Sequence, residues 1–156
     1  MKLRSYCSSD LEQVMSVYHD AVHVLAAPFY NEEQRAAWAP AISNPDRWRE
    51  RLSRVRTIVM DAEGVIAGFA SYEANGHLDL LFTRPQFARR GVASRLCDSV
   101  ESSLAQAGVR RLFTEASLAA REFFQSRGFR ILHEEKVECR GLKLTRYAME
   151  KQMEIV

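Results

Sequence analysis

Apolar residues recur at three- and four-residue steps through Leu11, Val14, Met15, Tyr18, Ala21, Val22 and Leu25. That spacing lays one stripe along a helix. Ser9-Asp10-Leu11-Glu12 has capping-box spacing at its start, and Ala27-Pro28 marks its end. A short strand from Lys2 to Cys7 precedes it. Asn31 before Glu32, Glu33 and Gln34 opens a second helix that carries Trp38 and stops before Pro40. After the Asn44-Pro45-Asp46 turn, Arg47 to Arg54 reads as a further short helix with Trp48 turned inward.

The period then shortens to that of strands. Thr57 to Met60, Val65 to Glu73 and His77 to Thr83 read as three strands, with hairpin breaks at Asp61-Ala62-Glu63-Gly64 and Asn75-Gly76. Leu96, Val100 and Leu104 share one face of a helix from about Val92 to Ala107, which ends at Gly108. A strand from Arg111 to Ala116 and a helix from Leu118 to Arg127 follow, with Gly128 in the C-cap position. Phe129 to Glu138 and Leu142 to Met149 make a last pair of strands about Arg140-Gly141. No repeat, low-complexity tract or linker interrupts this order. The expectation is one α+β domain over residues 1–156, with a mixed, mostly antiparallel sheet of about seven strands flanked by helices.

Composition removes several alternatives. A hydrophobic share of 47% and a charged share of 27% are those of an ordinary globular protein. No stretch approaches the roughly 18 apolar residues of a membrane span, and Met1 to Tyr6 lacks the apolar core of a leader, so a cytoplasmic location is expected. Cys7, Cys97 and Cys139 are scattered and odd in number, with no Cys-x-x-Cys, which argues against a disulfide framework or a zinc site. His133-Glu134-Glu135 is not His-Glu-x-x-His, and no metal is expected. Net charge is +2, yet arginines cluster at 84, 89, 90 and 95 and at 110 and 111. A local basic patch on a nearly neutral protein suits a small polyanion better than a nucleic acid.

The patch has a shape. Leu80 to Leu96 runs strand, Pro85, Arg89, Arg90, Gly91, then helix. A helix start leaves backbone N–H groups without partners and is electropositive, so an anion is favoured there. Gly91 and Ala93 keep side-chain bulk away from that approach, and two arginines add charge. The segment reads as a diphosphate cradle that is neither Gly-x-Gly-x-x-Gly nor a Walker loop.

These residues resemble the GNAT superfamily of N-acetyltransferases. Ala88 to Ala93 occupies the frame of its Gln/Arg-x-x-Gly-x-Gly/Ala motif, with Ala88 at the first position. Ser117-Leu118-Ala119-Ala120-Arg121-Glu122-Phe123-Phe124-Gln125-Ser126-Arg127-Gly128-Phe129 is similar to its Asn-x-x-Ala-x-x-Phe-Tyr-x-x-x-Gly-Phe helix. The element order also agrees. Tyr30 with Glu33-Gln34 and Trp38, Arg89 to Ser94, and Val137 to Gly141 resemble a YafP-like branch. The resemblance implies acetyl-CoA as co-substrate and an amine, small or peptidic, as acceptor, with no nucleic acid or membrane partner and a homodimer among the assemblies to expect. It implies that Leu81, Phe82 and Thr83 pair with the pantetheine arm. It likewise implies that Arg89, Arg90, Gly91, Val92, Ala93 and Ser94 hold the diphosphate, and that Ser117 and Phe124 line the channel.

Transfer to an amine needs a base. Alternation puts His77, Asp79 and Leu81 on one face of their strand. Asp79 is the first candidate, His77 the second and Glu115, on the facing strand, the third. A main-chain N–H near Phe82 is the expected oxyanion donor. The family's thiolate-protonating tyrosine is replaced by Phe124, which leaves Tyr30 or Tyr147 to reach in, or no acid at all. A sensor that binds acyl-CoA without turnover is the alternative reading.

Overall fold

The computed structural model describes residues 1–154. Its strands are β1 (Lys2–Ser5), β2 (Arg56–Ala62), β3 (Val65–Tyr72), β4 (His77–Thr83), β5 (Arg111–Ser117), β6 (Arg130–Cys139) and β7 (Leu142–Gln152). They form one sheet in the order β1-β2-β3-β4-β5-β7-β6. Every pairing is antiparallel except β4 with β5, which is parallel. The helices are α1 (Leu11–Asp20), α2 (Glu32–Trp38), α3 (Pro45–Ser53), α4 (Val92–Gln106) and α5 (Arg121–Ser126). None is long and apolar enough to cross a membrane.

The sheet is covered on both faces, which gives three layers. On one face Leu11, Val14 and Val17 of α1 and Leu52 of α3 pack against Val59, Ile66, Phe69 and Leu80. On the other, Val92, Leu96, Val100 and Leu104 of α4 pack against Met60, Ala67, Ala70 and Leu78. β3 is buried from Ile66 to Tyr72 because it sits between these layers. Gly68 is required there. A Cβ on it would stand 2.8 Å from both the Phe82 carbonyl oxygen and Val92 Cγ1, so only glycine lets α4 lie this close.

Local differences from the pattern have local causes. The first cap is Cys7, two residues earlier than Ser9: the Asp10 carboxylate accepts the Cys7 N–H at 2.9 Å and ion-pairs with Arg4 at 2.8 Å. That guanidinium holds Asp10 down to about 2. The apolar stripe stays helical to Leu25, but Ala21–Leu25 widens into a π-turn. Asn31 and Asn44 cap α2 and α3, each side chain accepting a backbone N–H of the first turn. The expected helix from Leu118 is shorter, since its first residues form turns before Arg121.

Two irregularities in β4 shape the centre of the molecule. Ser71 faces Leu80 while Tyr72 faces Leu78, so Asp79 is an extra residue, a β-bulge. The bulge reverses the alternation expected for this strand. Leu78 and Leu81 pack toward α4, whereas Leu80 and Phe82 pack toward α1. His77, Asp79 and Leu81 therefore do not share one face. In addition, β4 and β5 pair only at His77↔Phe113 and Leu78↔Thr114. Beyond that point the two strands part.

Candidate active site

Asp79 and Glu115 are the residues immediately after the last paired positions of β4 and β5, so they flank the apex where the strands diverge. Both line a cavity of about 800 Å³. Its walls come from α1 (Tyr18), α3 (Arg47, Trp48, Arg51), β4 (Leu80, Phe82), β5 (Ser117) and the β6–β7 hairpin (Glu138, Arg140, Arg146). His77 does not line it.

The three carboxylate and imidazole candidates are wired differently. Arg51 grips both oxygens of Asp79, Nη2 to Oδ1 at 3.1 Å and Nε to Oδ2 at 3.4 Å. His77 bridges two carboxylates: Nε2 lies 2.8 Å from Glu115 Oε1 and Nδ1 lies 2.7 Å from Glu73 Oε1. The Glu115 hydrogen bond, opposed by burial and aided by Glu73, raises the His77 pKa from 6.5 to about 9. At neutral pH the ring is an imidazolium donating from both nitrogens, stacked on Phe113 at 4.9 Å. Glu115 keeps its second oxygen, Oε2, without a hydrogen bond to the protein among the described residues, and its side chain is 30% exposed.

Tyr30 is buried and its hydroxyl is used twice. It donates to the Thr145 carbonyl at 2.6 Å and accepts the Leu118 N–H at 2.9 Å. Burial pushes its pKa up. The Tyr30 hydroxyl thus ties the segment before α2 to β7 and to the end of β5. Aromatic rings run on from it along the cavity. Trp38 meets Tyr30 at 5.4 Å and Phe82 at 6.3 Å, and Tyr18 meets Phe82 and Trp48 edge-on, each at 4.8 Å. Burial raises the Tyr18 hydroxyl to about 12.

The arginine–glycine loop is separate from this cavity. Arg89 (φ 61°) and Gly91 (φ 79°) both take left-handed backbone and turn the chain tightly into α4. Gly91 is the N-cap and no side chain caps it, so the first amides of a 15-residue helix have no side-chain acceptor. A Cβ at Gly91 would meet nothing within 4 Å, so the space beside the cap residue is open. Arg89 and Arg90 are exposed, Arg90 lying over the Phe87 ring at 5.6 Å. Leu81, Phe82 and Thr83 pair with β3 on one side, and on the other they face the gap left by β5. Ser117 ends β5, lines the cavity, and its hydroxyl accepts the Ala120 N–H at 3.2 Å. Phe124 is buried against Phe123 and Phe129 at 5.3 and 5.0 Å.

Sequence reasoning named Asp79, His77, Glu115 and Tyr30, and the fold gathers all four around the β4–β5 apex and the cavity. It did not single out Arg51, Glu73 or Tyr18. Arg51 and Glu73 lie 28 and 42 positions away from the residues they engage directly or through His77, and nothing in their local pattern marks them. Tyr18 was legible only as one more apolar position on the α1 stripe.

Comparison with known proteins bears on the family and the fold. A family model described as an acetyltransferase (GNAT) domain matches residues 26–151. The chain is 32% identical over 149 residues to YafP of Escherichia coli K12, an uncharacterized N-acetyltransferase, covering 96% of this chain and 94% of that protein. A crystal structure of a GCN5-related N-acetyltransferase from Rhodopseudomonas palustris superposes with a TM-score of 0.93 at 32% identity, covering 97% and 95% of the two chains. The structure of yncA from Salmonella typhimurium, a putative acetyltransferase with its cofactor acetyl-CoA, superposes with a TM-score of 0.72. It shares 17% identity over 99% of this chain and 94% of that one, a likeness of fold alone.

Proposed function

The chain belongs to the GNAT acetyltransferase family, and on that premise we propose that it moves the acetyl group of acetyl-CoA directly to a primary amine, both being bound together. The observation that carries this reading is the pairing of an uncapped α4 N-terminus with a cavity whose apex holds one half-free carboxylate. Residues 1–156 act as one unit in it. The free thiols of Cys7, Cys97 and Cys139 suit the cytoplasm, where acetyl-CoA is supplied.

The amides from Arg89 to Ser94, with the two guanidiniums, grip the diphosphate. The free edge of β4 at Leu81 to Thr83 receives the pantetheine arm as an added strand, and Ser117 borders its end. The bound thioester supplies an activated acetyl carbon. A lysine-like amine has a pKa of about 10.4, so presenting it neutral at pH 7 costs roughly 4 to 5 kcal/mol. Glu115 lowers that barrier. Its unbonded Oε2 takes the proton while His77 holds Oε1 and aims the group. Asp79 is less suited to the task, because accepting a proton would mean releasing Arg51. The amine nitrogen then bonds to the carbonyl carbon, a main-chain N–H near Phe82 stabilises the oxyanion, and the C–S bond breaks. A thiol titrates near 8.5, so departure as thiolate at pH 7 costs only about 2 kcal/mol. That fits a site in which Phe124 carries no hydroxyl and the Tyr30 proton is committed to Thr145.

Calorimetric titration with acetyl-CoA, followed by a free-thiol assay over a panel of primary amines, tests the reading. Binding with amine-dependent thiol release supports it. Binding without release would convert the protein into an acyl-CoA sensor and overturn the transfer.

A further inference from the structure

We propose that the acceptor carries an anionic group beside an aromatic body, and that the guanidinium of Arg47 meets this group while the amine lies at Glu115. This rests on the acetyl-transfer reading above and specifies its substrate class.

The charges around the cavity point to it. Asp79 is paired with Arg51 and Arg146 with Glu135, while His77 is shared between Glu115 and Glu73. Among the described residues, Arg47 and Arg140 have no carboxylate within 4.0 Å, although both line the cavity. Arg140 is fixed at the mouth, where it donates to the Ala37 carbonyl. Four arginines and three carboxylates line the cavity, and among the described residues Glu138 has no cation within 4.0 Å, so the lining is net positive. An acceptor bringing only a second amine would put like charge against Arg47. One bringing a carboxylate, sulfonate or phosphate forms a charge-assisted contact there.

Arg47 and Arg51 stand four residues apart on the same face of α3, about 6 Å along the helix axis, and both line the cavity. Arg51 is occupied by Asp79, which leaves Arg47 for a ligand. Aromatic rings line the same cavity: Trp48 is half-buried and meets Tyr18 edge-on, and Tyr18 meets Phe82. A flat apolar body suits those rings. An arene bearing an amine and an anion matches a lining of carboxylate, rings and guanidinium.

The test uses four amines with the wild-type protein and an Arg47→Gln variant: 4-(aminomethyl)benzoate, benzylamine, 1,4-bis(aminomethyl)benzene and 6-aminohexanoate. Thiol release is followed under saturating acetyl-CoA, with spermidine and an alanine-initiated peptide as unrelated acceptors. We expect kcat/KM for 4-(aminomethyl)benzoate to exceed that for benzylamine by tenfold or more, and the diamine to be the poorest arene. Arg47→Gln should shrink the first ratio below threefold, acting through KM. The inference is overturned if benzylamine or the diamine matches the benzoate, or if the variant slows every amine equally. If spermidine or the peptide releases thiol and no arene does, the inference falls while acetyl transfer stands. If calorimetry shows no acetyl-CoA binding, or binding with no thiol release from any amine, both fall.

Discussion

Replacing His77 with glutamine removes the cation between Glu73 and Glu115 while leaving a side chain of similar reach. In the native protein the imidazolium donates to both carboxylates at 2.7 and 2.8 Å, and its pKa rises from 6.5 to about 9. Each pKa unit is worth about 1.4 kcal/mol, so the rise corresponds to ~3 kcal/mol at most. Partial exposure of Glu73 and Glu115 lowers the working figure to about 2 kcal/mol. The folded state holds its proton more tightly than the unfolded chain. The stabilisation is therefore fully present below pH 6.5, declines as pH rises, and is gone above about 9. Urea unfolding of wild type and His77→Gln should show a gap of about 2 kcal/mol at pH 6.5 that closes by pH 10. The neighbouring charges, Glu73 on the chain leading from β3, Asp79 on β4 and Glu115 and Arg111 on β5, are common to both proteins, so the difference isolates His77. A gap that stays constant from pH 6.5 to 10 would refute the reasoning, as would an imidazole titrating near 6.5 by NMR.

Other substitutions separate structure from chemistry. Glu115→Gln should lower kcat by roughly 10²-fold or more while acetyl-CoA affinity holds, and Asp79→Asn should cost much less; the reverse ranking in thiol release would move the base to Asp79. Tyr30→Phe leaves the half-buried Leu118 N–H and Thr145 carbonyl without the hydroxyl, for a loss of about 1 kcal/mol, read as a lower urea midpoint with turnover retained. Gly76→Ala puts a Cβ 2.1 Å from the Arg111 carbonyl oxygen at φ +100°. Roughly 3 kcal/mol of destabilisation should follow, visible as a fall in Tm.

The strand and helix order was legible because the helix period is strong and turn signals separate the strands. Leu96, Val100 and Leu104 mark the α4 face, and the Asn75-Gly76 turn separates β3 from β4. The loop before α4 was legible as well, since Gly91 and the two arginines are consecutive and the geometry they need is local. The β4 bulge was not. Nothing around Asp79 signals an extra residue, and the bulge reverses the side on which Leu81 lies. Nor was the wiring of the candidates legible. Asp79 is gripped by Arg51 and His77 is held by Glu115 across separations of 28 and 38 residues that only the fold brings together, while Glu73 meets His77 locally across the Asn75-Gly76 turn. Residue type proposed three proton acceptors, and hydrogen-bond occupancy ranks them.

Affinity for coenzyme A in an Arg89→Glu, Arg90→Glu double variant probes the diphosphate cradle most directly, because both side chains are exposed and the fold does not depend on them. Calorimetry at physiological ionic strength should show at least a tenfold weaker Kd than wild type, with unchanged urea stability. An affinity within twofold of wild type, or a wild-type protein that ignores millimolar coenzyme A, would contradict the assignment of the α4 amides as the donor site.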